Sequence, residues 1–340
     1  MGSHRRLAPS GFDRGATSAL GVLSAAAAAL GALTAVPASA APHDDTRAEV
    51  DRLYEEAEKA TEAFNEAGER AGSLRREVGD AQDRIARQQG HINDLREQLG
   101  SLAGAQYRSG GLDPSLALLF SDDPEEYLDK ASVLDRITAH QAGELRELQE
   151  ALRELAQERT EAAHKLAELE KSRKAVAGHK RAVEQKLARA RQLLNALPSA
   201  ERAAYDRASR SGRFDMPGLG AAVPASGRAA AALSAARSAL GRPYVWGANG
   251  PSGFDCSGLM QWSYAQAGVS LPRTSQAQAH AGRRVPLSQA QPGDIVTYRS
   301  DASHVGMYAG NGQVIHAPYP GAPVRYDPVG MMPVSSVTRP

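Results

Sequence analysis

Small or apolar side chains recur in steps of three and four through Leu53, Ala57, Ala60, Phe64, Ala67, Ala71, Leu74, Val78, Ala81, Ile85, Ile92, Leu95, Leu99 and Leu102, with Gln88 filling the one gap. A second series runs through Leu134, Gln141, Leu145, Leu148, Leu152, Leu155, Ala162, Leu166, Leu169, Val176, Val183, Leu187, Leu194 and Leu197, where Pro198 stops it. Alternating steps of this kind mark the seam of a coiled coil. They commit residues 41–197 to long helices and exclude one round core for the whole chain. Two helices of similar length joined by a short segment fold back most simply as an antiparallel hairpin. The same heptads would also serve a dimer between chains.

Composition agrees with an elongated, modular molecule. The 340 residues leave room for two or three domains, but only 5% are aromatic while 23% are charged, too thin a supply for one large core. Lys and Arg number 40 against 39 Asp and Glu, so no basic footprint for nucleic acid is present.

His4, Arg5, Arg6 and Arg14 precede an uncharged run, SALGVLSAAAAALGALTAV, that ends in PASA with Ala38 and Ala40 in a small-x-small arrangement. A basic start, an apolar stretch and such an end predict an export signal over residues 1–40, cleaved after Ala40. The alternative is a retained anchor, which the weak hydrophobicity of alanine disfavours. Cys256 is the single cysteine, so no intrachain disulfide can form. In an exported chain an unpaired cysteine suggests a reactive thiol.

Between the helical series, a tip segment of about 104–130 carries Gly110, Gly111 and two Asp-Pro steps, with a helix start expected at Ser121 or Asp122 before Pro124. Its apolar run Leu116–Phe120 either packs under small tip helices or forms a docking surface. The arm as a whole reads as a spacer or as a regulatory element for the C-terminal region. Residues 198–227, rich in Gly, Pro, Ser and Ala, read as a flexible linker.

Residues 228–340 carry the chemistry. Cys256 follows a Gly/Pro-rich loop and opens an amphipathic stretch with Leu259, Met260 and Ala265 on one side and Gly268 as its stop. A helix N-terminus favours thiolate over thiol, the placement a nucleophile needs. Downstream, QPGDIVTYRS and ASHVGMYAGNGQVIHAP alternate as strands about a GNG turn. A three-residue turn would put His304 and His316 diagonally on one face; a two-residue Asn311-Gly312 turn would put them on opposite faces. In the first case His304 is a candidate base for Cys256, and His316 orients it. The Cys256 amide and the Tyr244 hydroxyl are candidate oxyanion donors. His280 reads as structural. Zinc binding by the histidines with Asp255 or Asp294 is the rival reading, but the separations match no short ligand spacing such as HxxxH, and neither metal nor cofactor is expected.

The ordered motifs RPYVWG, FDCSGL and HVGMYAGNGQVIHAP closely resemble the NlpC/P60 family of cell-wall cysteine peptidases. The resemblance covers about residues 228–340. It implies Cys256 as nucleophile, His304 as base and His316 as the orienting third residue, with Tyr244 near the oxyanion site and Asp255, Ser257 and Arg273 lining the substrate groove. It further implies a papain-like α+β domain that cleaves peptidoglycan stem peptides between γ-D-glutamyl and a diamino acid. The arm resembles those of exported actinobacterial coiled-coil hydrolases, some of which are controlled by an ABC-transporter-like complex at the division site. The expectation is therefore a multidomain secreted endopeptidase in which a helical hairpin restrains or localises the domain. A coiled-coil scaffold that activates another hydrolase, and an amidase or acyltransferase using the same thiol chemistry, are the alternatives.

Overall fold

The computed structural model describes residues 42–108, 124–210 and 223–340. The export signal expected over residues 1–40 and the apolar run 116–120 of the tip lie outside the described residues. No helix among the described residues is long and apolar enough to cross a membrane.

Two long helices open on proline, α1 at Pro42–Arg108 and α2 at Pro124–Ala196. Proline at a first helical position has its φ preset and lacks an N–H that would go unpaired there. The helices run antiparallel: Glu56 pairs with Lys186, Glu77 with Lys165 at 3.2 Å, Arg84 with Glu158 at 3.6 Å and Gln88 with Glu154 at 3.1 Å, so partner numbers fall as those of α1 rise. The heptads thus close within one chain. The seam on α2 differs from the expected one. Ala151, Leu155, Leu169, Val183, Leu187 and Ala190 are buried, whereas Leu145, Leu152 and Leu166 are 50%, 38% and 50% exposed. The row facing α1 admits smaller residues, including Ala151 and Ser172, and leaves a heptad-spaced row of leucines on the outside.

The expected linker 198–227 is also corrected. Its first part is a helix, α3 (Ser199–Arg210), rich in alanine and arginine. Tyr205 packs partly buried against the cluster of Val50, Leu53, Val183 and Ala190, and its hydroxyl donates to Asp51 at 3.2 Å. An aromatic side chain with apolar surface in reach holds this helix to the base of the hairpin.

The remaining helices are α4 (Gly227–Ser238), α5 (Cys256–Gln266) and the short α6 (Ser275–Gln278). Among the described residues six strands follow: β1 (Arg283–Val285), β2 (Ile295–Tyr298), β3 (His304–Gly310), β4 (Gln313–His316), β5 (Arg325–Pro328) and β6 (Val334–Arg339). They form one sheet in the order β1-β6-β2-β3-β4-β5, with every pair antiparallel. Alternation along the strands divides the core. Ile295, Val305, Met307 and Ile315 face α4 and α5, where they meet Leu233, Phe254, Leu259, Met260 and Tyr264; Val296, Tyr298, Val314 and Val337 cover the other face. Each such side chain contributes about 1.5–3 kcal/mol by leaving water. This is the expected α+β arrangement, with the cysteine helix seated on an antiparallel sheet.

Candidate functional site

Asp255 caps α5, its Oδ1 accepting from the Gly258 amide at 2.7 Å. The same carboxylate accepts from the Gly247 amide at 2.9 Å and from both terminal nitrogens of Arg273 at 2.6 and 3.0 Å. Arg273 also donates to the Ser257 hydroxyl at 2.9 Å. Asp255, Ser257 and Arg273, expected to line a groove, therefore form a buried network that fixes the start of the cysteine helix. Gly258 is required there, because a Cβ would lie 2.2 Å from the Ala248 carbonyl oxygen. The Cys256 thiol is fully buried and receives the Ser257 backbone N–H. Burial pushes its pKa well above the ordinary value, and the carboxylates of Glu62, Glu58 and Asp255 push the same way. Tyr244 is buried, and burial together with the neighbouring Cys256 raises its pKa as well.

The histidines reach one face by a route that neither expected turn described. Asn311 and Gly312 form a two-residue turn, both at positive φ (53° and 70°), between the paired Gly310 and Gln313. A bulge between Tyr308 and Gly310 then shifts the register by one residue. In a period-two strand that shift reverses the face, so the two-residue turn still leaves the histidines together. His304 Nε2 and His316 Nδ1 are 2.8 Å apart, with the rings nearly perpendicular. His316 Nε2 lies 2.8 Å from Asp327 Oδ2, to which Arg325 Nε donates at 2.7 Å. Burial lowers the His316 pKa to about 4. Burial would raise that of Asp327, but His316 and Arg325 outweigh it and hold the carboxyl below its ordinary range.

The other nitrogen of His304, Nδ1, meets an element from outside the domain. Glu58 of α1 pairs with it through Oε1 and accepts from Arg299 through Oε2 at 2.7 Å. One turn further along α1, Glu62 accepts from the Ser257 hydroxyl at 2.7 Å and from the Ser275 backbone amide at 2.8 Å, and lies 3.7 Å from Cys256 Sγ. Asn65 donates to Asp255 at 3.2 Å. Aromatic pairs flank these contacts: Tyr54 stacks on Tyr319, and Phe64 meets Trp246 edge-on, both at 5.3 Å between centroids. Lys59 pairs with Asp301 at the rim, 3.2 Å away. Residues 54, 58, 61, 62 and 65 share one helix face, so α1 turns its seam to α2 and a second, polar stripe into the site.

A thiol, an imidazole and a carboxylate atom of Cys256, His304 and Glu58 all lie within 4.8 Å of one another, the donor types that zinc takes. Glu58 and His304 are already satisfied by Arg299, His316 and each other. Asp294, considered as a ligand, pairs with Arg339 at 2.8 Å instead. His280 sits exposed just after α6, 3.0 Å from the Gln276 carbonyl. The structure thus gathers Cys256, His304, His316, Tyr244, Asp255, Ser257 and Arg273 into one site. Sequence reasoning missed Glu58, Glu62, Asn65 and Asp327. The first three look like solvated helix positions in EEAEKATEAFNE, and Asp327 joins the histidines only through the pairing of β4 with β5.

Residues 241–337 match the NlpC/P60 family profile. A protein of Mycobacterium tuberculosis named "probable endopeptidase" is 50% identical over 116 residues, 34% of this chain and 30% of the relative. A "probable endopeptidase" of Corynebacterium glutamicum is 49% identical over 127 residues, 37% of this chain and 60% of the relative. The chain therefore spans about a third of the first relative's length and somewhat over half of the second's. Among solved structures, the P60 domain of a Mycobacterium avium subspecies paratuberculosis antigen is 37% identical, covering 33% of this chain and 93% of that one, with a TM-score of 0.31. The NlpC/P60 domain of the peptidoglycan hydrolase SagA is 36% identical, covering 33% and 98%, with a TM-score of 0.32.

Proposed function

Residues 241–337 of this chain being an NlpC/P60 domain, we propose that the protein is a secreted peptidoglycan endopeptidase held inactive by its own helical arm. Cys256 attacks the carbonyl of the γ-D-glutamyl–diamino acid bond, His304 takes the thiol proton and returns it to the leaving amine, and His316 orients His304. The Cys256 backbone amide and Tyr244 receive the developing oxyanion. Water then hydrolyses the acyl-enzyme.

One observation carries the restraint: Glu58 and Glu62 occupy the two polar positions that this chemistry must use. Glu58 takes the nitrogen of His304 left free by His316, and Glu62 takes the hydroxyl and amide donors beside the sulfur. Burial opposes ionisation of Glu58, but His304 and Arg299 outweigh it and hold its pKa low. The carboxylate thereby stands in for the thiolate as partner of His304, and the sulfur stays a neutral thiol. Activity requires that α1 leave. The arm's distal end, where Tyr107 and Leu128 are 86% and 66% exposed, is the place at which a membrane complex of ABC-transporter type would pull. Export rests on the N-terminal sequence.

The test is digestion of purified peptidoglycan and of a stem tripeptide by the full chain, by a Glu58→Ala/Glu62→Ala variant, and by that variant carrying Cys256→Ala, with products read by mass spectrometry. The double variant should release the γ-glutamyl fragment at least about tenfold faster than the parent, the cost of one lost charge-assisted contact, and Cys256→Ala should abolish release. Equal rates for parent and double variant would remove the restraint. A glycan stripped of its whole stem would mean an amidase instead.

A further inference from the structure

Behind His316 lies a carboxylate for which the three-residue reading has no use. We propose that Asp327 is a positioning residue that sets the tautomers of both histidines, leaving Nδ1 of His304 unprotonated and facing Cys256 once α1 has left. The inference rests on the assignment of Cys256 and His304 above.

Counting hydrogens along the relay fixes each tautomer. A carboxylate only accepts, and Asp327 Oδ2 already receives Arg325 Nε–H, so His316 must present Nε2–H across the 2.8 Å contact. A neutral imidazole has one N–H, which makes His316 Nδ1 an acceptor. His304 therefore donates Nε2–H to it across 2.8 Å. Neutral His304 then has its lone pair on Nδ1, directed away from His316 and toward the sulfur and α1. Burial keeps His316 neutral, with a pKa of about 4, so the sequence of donors holds at neutral pH. When the thiol ionises, the S–H bond breaks, an N–H bond forms at His304 Nδ1, and the positive charge lies between thiolate and His316. With the carboxylate removed, His316 could carry its proton on Nδ1 and donate to His304 Nε2. The His304 proton would then sit on Nδ1 and face the sulfur as a donor. In the occluded state Glu58 lies against this same Nδ1.

The register of the sheet makes the contact. Val314 is paired with Asp327 and His316 with Arg325, so Asp327 lies diagonal to His316 on its face of β5. A carboxylate there accepts from His316 and has no hydrogen to offer it, whereas an amide carries donors as well.

The test places Asp327→Asn in the full-length Glu58→Ala/Glu62→Ala chain and compares it with Asp327→Glu and with the parent double variant. Turnover of stem tripeptide should fall by about tenfold to a hundredfold in kcat, with KM within about twofold, and Asp327→Glu should recover part of it. Nitrogen-15 spectra of histidine-labelled protein should show His316 as the Nε2–H tautomer in the parent and shifted toward Nδ1–H in Asp327→Asn, with an unchanged melting temperature separating this from a folding defect. An unshifted His316 pattern, whatever happens to kcat, overturns the proposal, and so does a shifted pattern with kcat intact. Persistent turnover in Cys256→Ala would instead sink the catalytic assignment itself, an outcome distinguished because it does not involve the histidine spectra.

Discussion

Glu58 and Glu62 sit one helical turn apart on α1, yet their surroundings pull their ionisation in opposite directions. Burial, joined by the charge of Asp255, raises the Glu62 pKa to about 7, whereas His304 and Arg299 keep that of Glu58 low despite its burial. A carboxyl whose pKa is higher when docked than when free favours docking in full below the ordinary glutamate range, and that contribution is lost as pH rises through about 7. Glu58, shifted the other way, keeps its contribution across this window and loses it only in stronger acid. Arg273, Ser257, Cys256 and the Ser275 backbone amide also face Glu62. The turnover of the full chain divided by that of Glu58→Ala/Glu62→Ala should therefore climb between roughly pH 5 and 7, by up to about tenfold per pH unit, and then level off. A flat or falling ratio would contradict this account. Gly258 is constrained by sterics rather than charge. Gly258→Ala drives a Cβ to 2.2 Å from the Ala248 carbonyl oxygen, so chemical denaturation should show a loss at the upper end of the about 1–3 kcal/mol typical of overpacking.

At the scale of elements, the existence of the long helices and of the cysteine helix was legible because periodicity, Pro198 and Gly268 are local signals. Which row of α2 meets α1 was not, since leucines occupy two heptad-spaced rows and only contact with α1 decides between them. Leu155 is 4% exposed and Leu152 38%. Leu155→Ala should cost about 2–5 kcal/mol and Leu152→Ala less than about 1 kcal/mol, measured by thermal unfolding of the full chain. Equal losses would show that the helices choose a different row in solution. The hairpin of β3 and β4 divides in the same way. A turn at Gly310-Asn311-Gly312 was readable, but its length, and the bulge that cancels the effect of a two-residue turn on the histidine faces, depend on the pairing across the strands.

For the molecule as a whole, the arm and the NlpC/P60 domain share one site. Cys256 has no exposed surface and a raised pKa while α1 lies over it. Alkylation by iodoacetamide should thus proceed at least about tenfold faster in Glu58→Ala/Glu62→Ala than in the parent chain, since the reactive form is the thiolate and both its exposure and its charge are restored. Mass spectrometry of the Cys256 peptide over time reads this directly. Equal rates would mean that α1 leaves the thiol as accessible as the open site does.

Sequence alone determined the long helices, the α+β class of the C-terminal region and the order of the motifs that hold Cys256, His304 and His316, because each rests on neighbours within a few residues or on a periodic pattern. Tertiary structure alone decided that the polar stripe of Glu58, Glu62 and Asn65 is buried rather than solvated, that residues 199–210 are a packed helix, and that Asp327 stands behind His316. These depend on which surfaces come together across about 200 residues of chain in the first case and across a sheet register in the last. A glutamate on a long helix has no local feature that distinguishes a partner in water from a partner in an active site; only the surface packed against it makes that difference.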